Sequence, residues 1–179
     1  MQCEASGDAL LNSIKIQSHQ KDKVYCRTTE IRPQWCYVLE GLVGAYQYLE
    51  NSPPYMHWVT LPGQTYTGTK HEYSDSSQEL DIKFLKDTRL AVIQLSTLRI
   101  LMEKHPPIMR LINIMRQRRN TISDLKLHVV SQTATKRYRE TLQQLPIIPA
   151  SLNNGQLAQY LNIDPKTLYR SRKIELKRK

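Results

Sequence analysis

A chain of 179 residues, 40% apolar and 23% charged, is long enough for one good core, or a core with a small appendage, and has the composition of a globular protein. Its formal net charge of +10 is unevenly placed: residues 1–95 hold 9 Lys+Arg against 11 Asp+Glu, and residues 96–179 hold 17 against 5. No apolar run is long enough to span a bilayer, the start MQCEASGDALLNSIKIQ lacks the basic-then-apolar order of a secretory signal, and three cysteines (Cys3, Cys26, Cys36) are too few for a disulfide scaffold, so the expectation is a cytoplasmic protein with no membrane partner.

Residues 7–20 place Ala9, Leu10, Leu11 and Ile14 on one side and predict a short packing helix. Residues 23–95 read as β. Short strands are predicted at 24–27, 35–39, 42–49, 55–61, 80–85 and 88–95, rich in aromatic and β-branched residues, with Gly41 and Gly44 at a bend and Asn51-Ser52-Pro53-Pro54 and Pro62-Gly63 as turns. Leu80 to Leu85 alternates apolar and polar, the mark of a half-buried strand. Many short strands with punctuating turns point to a sandwich or barrel, with a jelly roll as one member.

At Ser96 the period changes. Ser96 is a suitable cap for a helix carrying Leu98, Ile100, Leu101 and Met102, ending near His105-Pro106-Pro107. A long helix is then predicted to about Ser131. Ile108, Leu111, Met115, Ile122, Leu125 and Val129 recur at heptad-like steps along it, with Arg118 interrupting the seam. That seam suits pairing with a second copy, and it suits packing on the chain's own β-domain. Residues 135–145 predict a short helix with Tyr138, Leu142 and Leu145 inward; 147–152 reads as extended; Asn153-Asn154-Gly155 is a turn.

The last stretch is the most specific. Leu157, Ala158 and Leu161 form an apolar stripe, and Asn162 follows it as a left-handed cap. Asp164 and Pro165 are an N-cap and a first helical residue, and Leu168 turns inward. Lys166, Thr167, Tyr169, Arg170, Arg172 and Lys173 are left to point elsewhere. A small Ala at a close crossing, a left-handed corner and a basic second helix describe a DNA-binding helix-turn-helix. The excess of positive charge in the same half of the chain agrees with a phosphate-backbone partner.

In this order, and in Val38-Leu39-Glu40-Gly41-Leu42-Val43, Leu61-Pro62-Gly63-Gln64 and Leu157 to Lys173, nearly the whole chain resembles the Crp/Fnr family of transcriptional regulators, in a short form with no wing after the recognition helix. The resemblance implies an α+β fold: an N-terminal β jelly roll of the cyclic nucleotide-binding type (a double-stranded β-helix) in residues 1–105, a dimerisation helix in 106–133, and a helix-turn-helix in 134–179. It implies a homodimer reading a two-fold symmetric site on double-stranded DNA through the helix starting at Pro165, with RNA polymerase as a further partner. Arg170 is the first candidate for a base contact, with Lys166 and Tyr169 beside it, and Arg172, Lys173, Lys177, Arg178 and Lys179 are candidates for phosphate contacts. The candidate effector pocket comprises Gln64, Thr65, Thr67, Lys70 and Ser77 of the loop from Gly63 to Glu79, with Ser123 of the long helix.

The departures bear on the effector. Family members that bind cyclic AMP carry an Arg-Ser pair in that loop; here the loop holds no Arg, and a cyclic phosphate needs a fixed cation. Three unclustered cysteines do not match the four that hold an iron–sulfur cluster in the oxygen-sensing relatives. Cys26, Cys36, His57 and His71 read as barrel residues rather than haem ligands, so no cofactor is expected. There is no metal-ligand pair at helical spacing, no Gly-rich phosphate loop and no nucleophile elbow, so no enzyme is expected. The alternative function is a small-molecule sensor whose basic C-terminal helices bind a protein.

Overall fold

The computed structural model describes residues 2–48 and 50–177, with side chains from Ala5 onward. The elements run α1 (Gln2–Ser13), β1 (Lys15–His19), β2 (Val24–Cys26), β3 (Arg32–Glu40), β4 (Val43–Gln47), β5 (Tyr55–Thr60), β6 (Thr65–Gly68), β7 (Asp81–Phe84) and β8 (Thr88–Gln94). Helices follow: α2 (Leu95–Lys104), α3 (Pro106–Ser131), α4 (Ala134–Gln144), α5 (Ile147–Ser151), α6 (Asn154–Leu161) and α7 (Pro165–Leu176). An antiparallel β-domain followed by helices is the α+β class that the sequence predicted.

Among the described residues the strands form two sheets, of order β1-β8-β3-β6 and β2-β7-β4-β5. Cys36 of β3 lies opposite Val92 on one side and Tyr66 on the other, and Ala45 of β4 lies opposite Ile82 of β7. Val38, Val43, Ala45, Ile82 and Leu90 are fully buried. Each large one contributes about 2 kcal/mol by leaving water. Gly41 makes the bend before β4 with φ +95; a Cβ there would lie 2.4 Å from Asp87 O, so only glycine fits.

The chain forms two compact units. One is Met1–Tyr46 with Val59–Arg119, and the other is Gln47–Trp58 with Asn120–Lys179. The first holds most of the β-strands and a cluster of Trp35, Ile93, Leu95, Leu98, Leu101, Met102, Ile108 and Ile112, against which Ala9, Leu10 and Met115 pack. The second is built on Val129, Leu157, Ala158, Tyr160, Leu161 and Leu168, all buried.

Several elements differ from the sequence reading. The N-terminal helix is shifted: α1 ends at Ser13, and the residues after it pair as β1 with β8, Ile16 opposite Ala91. Thr65–Gly68, read as loop, is strand β6, paired with β3, and all four residues are buried. Ser96 lies inside α2, whose N-cap is Gln94, with no side-chain capping bond. Residues 147–151 are helical rather than extended: Ser151 Oγ donates to Ile147 O at 2.8 Å, and Pro149 stands in the first turn, where its missing N–H costs nothing. In α4, Tyr138 and Leu145 are buried as expected, but Leu142 is 36% exposed and Thr141 takes the inward place, its hydroxyl donating to Arg137 O at 2.7 Å.

Candidate nucleic-acid interface and sensor loop

The helix-turn-helix is assembled from local signals. Asn153 caps α6 reciprocally with Gln156: Gln156 N–H donates to Asn153 Oδ1 at 2.9 Å, and Asn153 N–H to Gln156 Oε1 at 3.1 Å. Asn162 ends α6 in the left-handed region (φ 50, ψ 53), and Ile163 N–H returns to Ala158 O at 3.1 Å. Asp164 Oδ1 accepts from Lys166 N–H at 2.7 Å, with Pro165 as the first residue of α7. Leu168 and Ser171 of α7 are buried, and Ser171 Oγ donates to Thr135 O of α4 at 3.2 Å.

These contacts fix which face of α7 is outward. Lys166, Tyr169, Arg170 and Lys173 are exposed, Tyr169 by 60%, and Thr167 is half-buried. Lys173 Nζ sits 5.1 Å from the Tyr169 ring centroid. The outward face thus carries three cations and an amphipathic ring just after a helix N-terminus, whose free N–H groups favour anions. Arg172 is placed differently: its guanidinium lies 5.5 Å over the Tyr138 ring and donates to Asn154 Oδ1, holding α7 against α4 and α6. Lys177 is exposed; Arg178 and Lys179 lie outside the described residues.

A feature that the sequence reading missed braces this corner. Arg137 of α4 donates through Nε to Gln132 O (3.0 Å), and through one terminal nitrogen to Leu161 O (3.0 Å) and Asn162 O (2.7 Å). The carbonyls at the end of α6 would otherwise lack partners, and a guanidinium supplies several donors at once.

Along α3 the seam residues are treated unequally. Ile108 is buried in the core of the first unit and Val129 in that of the second. Between them Leu111 (38%) and Arg118 are exposed, while Met115, Ile122 and Leu125 are half-buried. Ile112, outside the predicted seam, is fully buried.

In the loop from Gly63 to Glu79 the candidate pocket residues have partners of their own. Gln64 Oε1 accepts from Leu61 N–H at 3.0 Å. Thr65 and Thr67 are buried in β6, and Thr67 Oγ1 donates to Thr69 O at 2.7 Å. Ser77 Oγ donates to Thr28 O and accepts from Glu79 N–H. Lys70 pairs with Glu79 at 2.9 Å, an exposed pair that lowers the Glu79 carboxyl pKa and contributes little stability. Ser123 is exposed on α3. The charged anchor of the loop is Glu72, which is buried. Both Nε and an Nη of Arg116 lie 3.1 Å from its Oε2, and Arg99 Nε donates to its backbone O at 2.7 Å. No local pattern marks this anchor, since Glu72 and Arg116 stand 44 residues apart.

An antiparallel β-domain, a long helix and a capped, basic helix-turn-helix are the elements that the sequence resemblance implied. In fold the chain is similar to solved structures of Crp/Fnr regulators. FixK2 from Bradyrhizobium japonicum matches with a TM-score of 0.78 at 17% identity, over 92% of this chain and 85% of that one. CLP, a c-di-GMP-responsive global regulator of Xanthomonas campestris, matches with a TM-score of 0.75 at 16% identity, over 97% and 92%. A CooA mutant from Carboxydothermus hydrogenoformans matches with a TM-score of 0.76 at 14% identity, over 94% and 78%. At these identities the likeness is one of fold. No protein-family model and no curated protein sequence matches the chain.

Proposed function

We propose that this chain is a Crp/Fnr-type transcriptional regulator that binds double-stranded DNA as a homodimer. The observation that carries the reading is the outward face of α7: Lys166, Tyr169, Arg170 and Lys173 project from a helix whose start is fixed by Asp164 and Pro165 and whose back is buried. On this reading α7 enters a major groove, Arg170 reads a base edge, Lys166, Thr167 and Tyr169 lie against adjacent bases or phosphates, and Lys173 and Lys177 meet the backbone. Arg172, engaged with Tyr138 and Asn154, sets the pose of the helix. The barrel of residues 1–105 serves as sensor, residues 106–133 as dimerisation helix and residues 134–179 as reader. Leu111, Met115, Arg118, Ile122 and Leu125 form the middle of the dimer seam, and their partial exposure supports it. Half-sites then lie about 34 Å apart on one face of the duplex.

The neighbours in fold are regulators and not enzymes, which supports a non-enzymatic role. Cyclic AMP is disfavoured as effector, because Lys70 is engaged by Glu79 and the loop carries no guanidinium. The test is selection of bound sites from random duplex DNA with the full chain. Enrichment of a two-fold symmetric site, with affinity falling steeply as salt rises, is the expected result. Failure to enrich any site, with salt-insensitive capture of a protein instead, would overturn it.

A further inference from the structure

Lys126, on the α3 half that belongs to the second unit, is only 5% exposed and has no carboxylate partner among the described residues. Its Nζ donates to two consecutive carbonyls of β5, Met56 O and His57 O, each at 2.5 Å. It also lies 4.4 Å from the centroid of each of the Tyr55 and Tyr160 rings. One amine thus joins three elements of the same unit: the segment Gln47–Trp58, α3 and α6 of the helix-turn-helix. We propose that Lys126 is a proton-operated pin, fastening the segment Gln47–Trp58 to the helix-turn-helix and loosening that hold when it takes up a proton.

The chemistry follows from the donor count. A neutral amine has two N–H groups, and the two carbonyls take both. An ammonium adds a third donor and a full charge in a site closed to water; the two ring faces attract that charge, but no anion among the described residues neutralises it. The titratable and charged groups around it are Tyr55 and His57 on β5, Tyr160 on α6 and Arg137 on α4, which lies near Tyr55. On α3, Asp124 is exposed. Burial raises the pKa of both phenols, so they stay protonated through neutral pH and supply no negative charge. Burial also pulls the Lys126 amine down from the ordinary 10.5 to about 7.

The pinned form therefore releases its proton near pH 7, while a released, hydrated lysine keeps it to about 10.5. Above pH 7 the pinned form binds fewer protons than the released one, so rising pH favours pinning, by up to about tenfold per pH unit. Below pH 7 both forms are protonated and the dependence vanishes.

The test uses the full chain with 13C-labelled lysine. One lysine resonance should titrate near pH 7 and vanish in Lys126→Met. Amide-exchange protection at Met56, His57 and Trp58, corrected for intrinsic rates, should be flat from pH 6 to 7 and rise toward tenfold per unit between pH 7.5 and 9. Lys126→Arg, permanently charged, should show low protection with no such rise. All lysines titrating above pH 9.5, pH-independent protection in the wild type, or a wild-type profile in Lys126→Arg would each overturn the proposal. The wild-type titration decides the matter even where a variant fails to fold. The pin stands apart from DNA binding: failure to select any DNA site would overturn the proposed function and leave a titrating Lys126 untouched.

Discussion

The Arg137 guanidinium donates to the carbonyl of Asn162, the left-handed residue between the two helices of the motif, at 2.7 Å. The same nitrogen reaches Leu161 O, and Nε reaches Gln132 O in the link between α3 and α4. The joint after the long helix and the corner before α7 are thus tied to one side chain.

Replacing Arg137 by Ala should lower stability by about 2 kcal/mol, since a charged donor to several partly buried carbonyls is lost. Urea denaturation measures this. Arg137→Lys should recover only part of it, because one ammonium cannot span the three carbonyls. DNA affinity should fall although no outward group of α7 is touched. A wild-type urea midpoint for Arg137→Ala would show that the corner holds without the brace.

The helix-turn-helix was legible because its signals are local: Asn162, Asp164 and Pro165 each act on a backbone group within a few residues. β6 was not, because its four residues, Thr65 to Gly68, are too short a run to stand out from a stretch rich in Gly, Thr and Ser, and α5 was not, because Ile147-Ile148 followed by Pro149 reads equally as an extended run. The anchors at Glu72 and Lys126 were invisible for a different reason. Their partners, Arg116 and Met56, are 44 and 70 residues away, and only the closed fold brings them together. Heptad spacing also does not show how each seam residue is used: tertiary packing takes Ile108 and Val129 at its ends into the two cores.

The partly exposed middle of that stripe leads to a test of self-association. Leu125→Lys places a charge where two copies of α3 are proposed to meet, and desolvating it there without a partner costs several kcal/mol. Sedimentation should report a dimer for the wild type and a monomer for the variant. Leu111→Lys, nearer the start of the helix, should act in the same direction. A dimer in both variants would put the interface elsewhere.

Cys36 is fully buried beside the Tyr25 hydroxyl (3.2 Å), and burial pushes its thiol up to about 11. In a Cys3→Ser background the native protein should resist a thiol reagent at pH 8, and urea should raise the rate by orders of magnitude, because thiolate and access are both withheld by the fold. The folded state keeps a proton that the unfolded chain loses above about pH 9, so this group makes stability fall as pH rises past that point. Rapid labelling of Cys36 in native buffer would contradict its burial in the β-domain interior.

Arg170 stands one helical turn after Lys166 on the exposed face of α7, with Tyr169 beside it. An arginine that grips guanine O6 and N7 contributes about 1–3 kcal/mol of discrimination, whereas a lysine on a phosphate contributes affinity without preference. Arg170→Ala should therefore bring binding of a selected site down to the level of unrelated duplex, a loss of roughly ten- to a hundredfold, and leave the weaker, salt-sensitive binding in place. Lys173→Ala should do the converse: preference is kept, affinity drops on every duplex, and the slope of log affinity against log salt falls by about one. Fluorescence anisotropy at several salt concentrations separates the two. Wild-type affinity of Arg170→Ala for the selected site, with preference intact, would remove Arg170 from base reading and move that role to Lys166 or Tyr169.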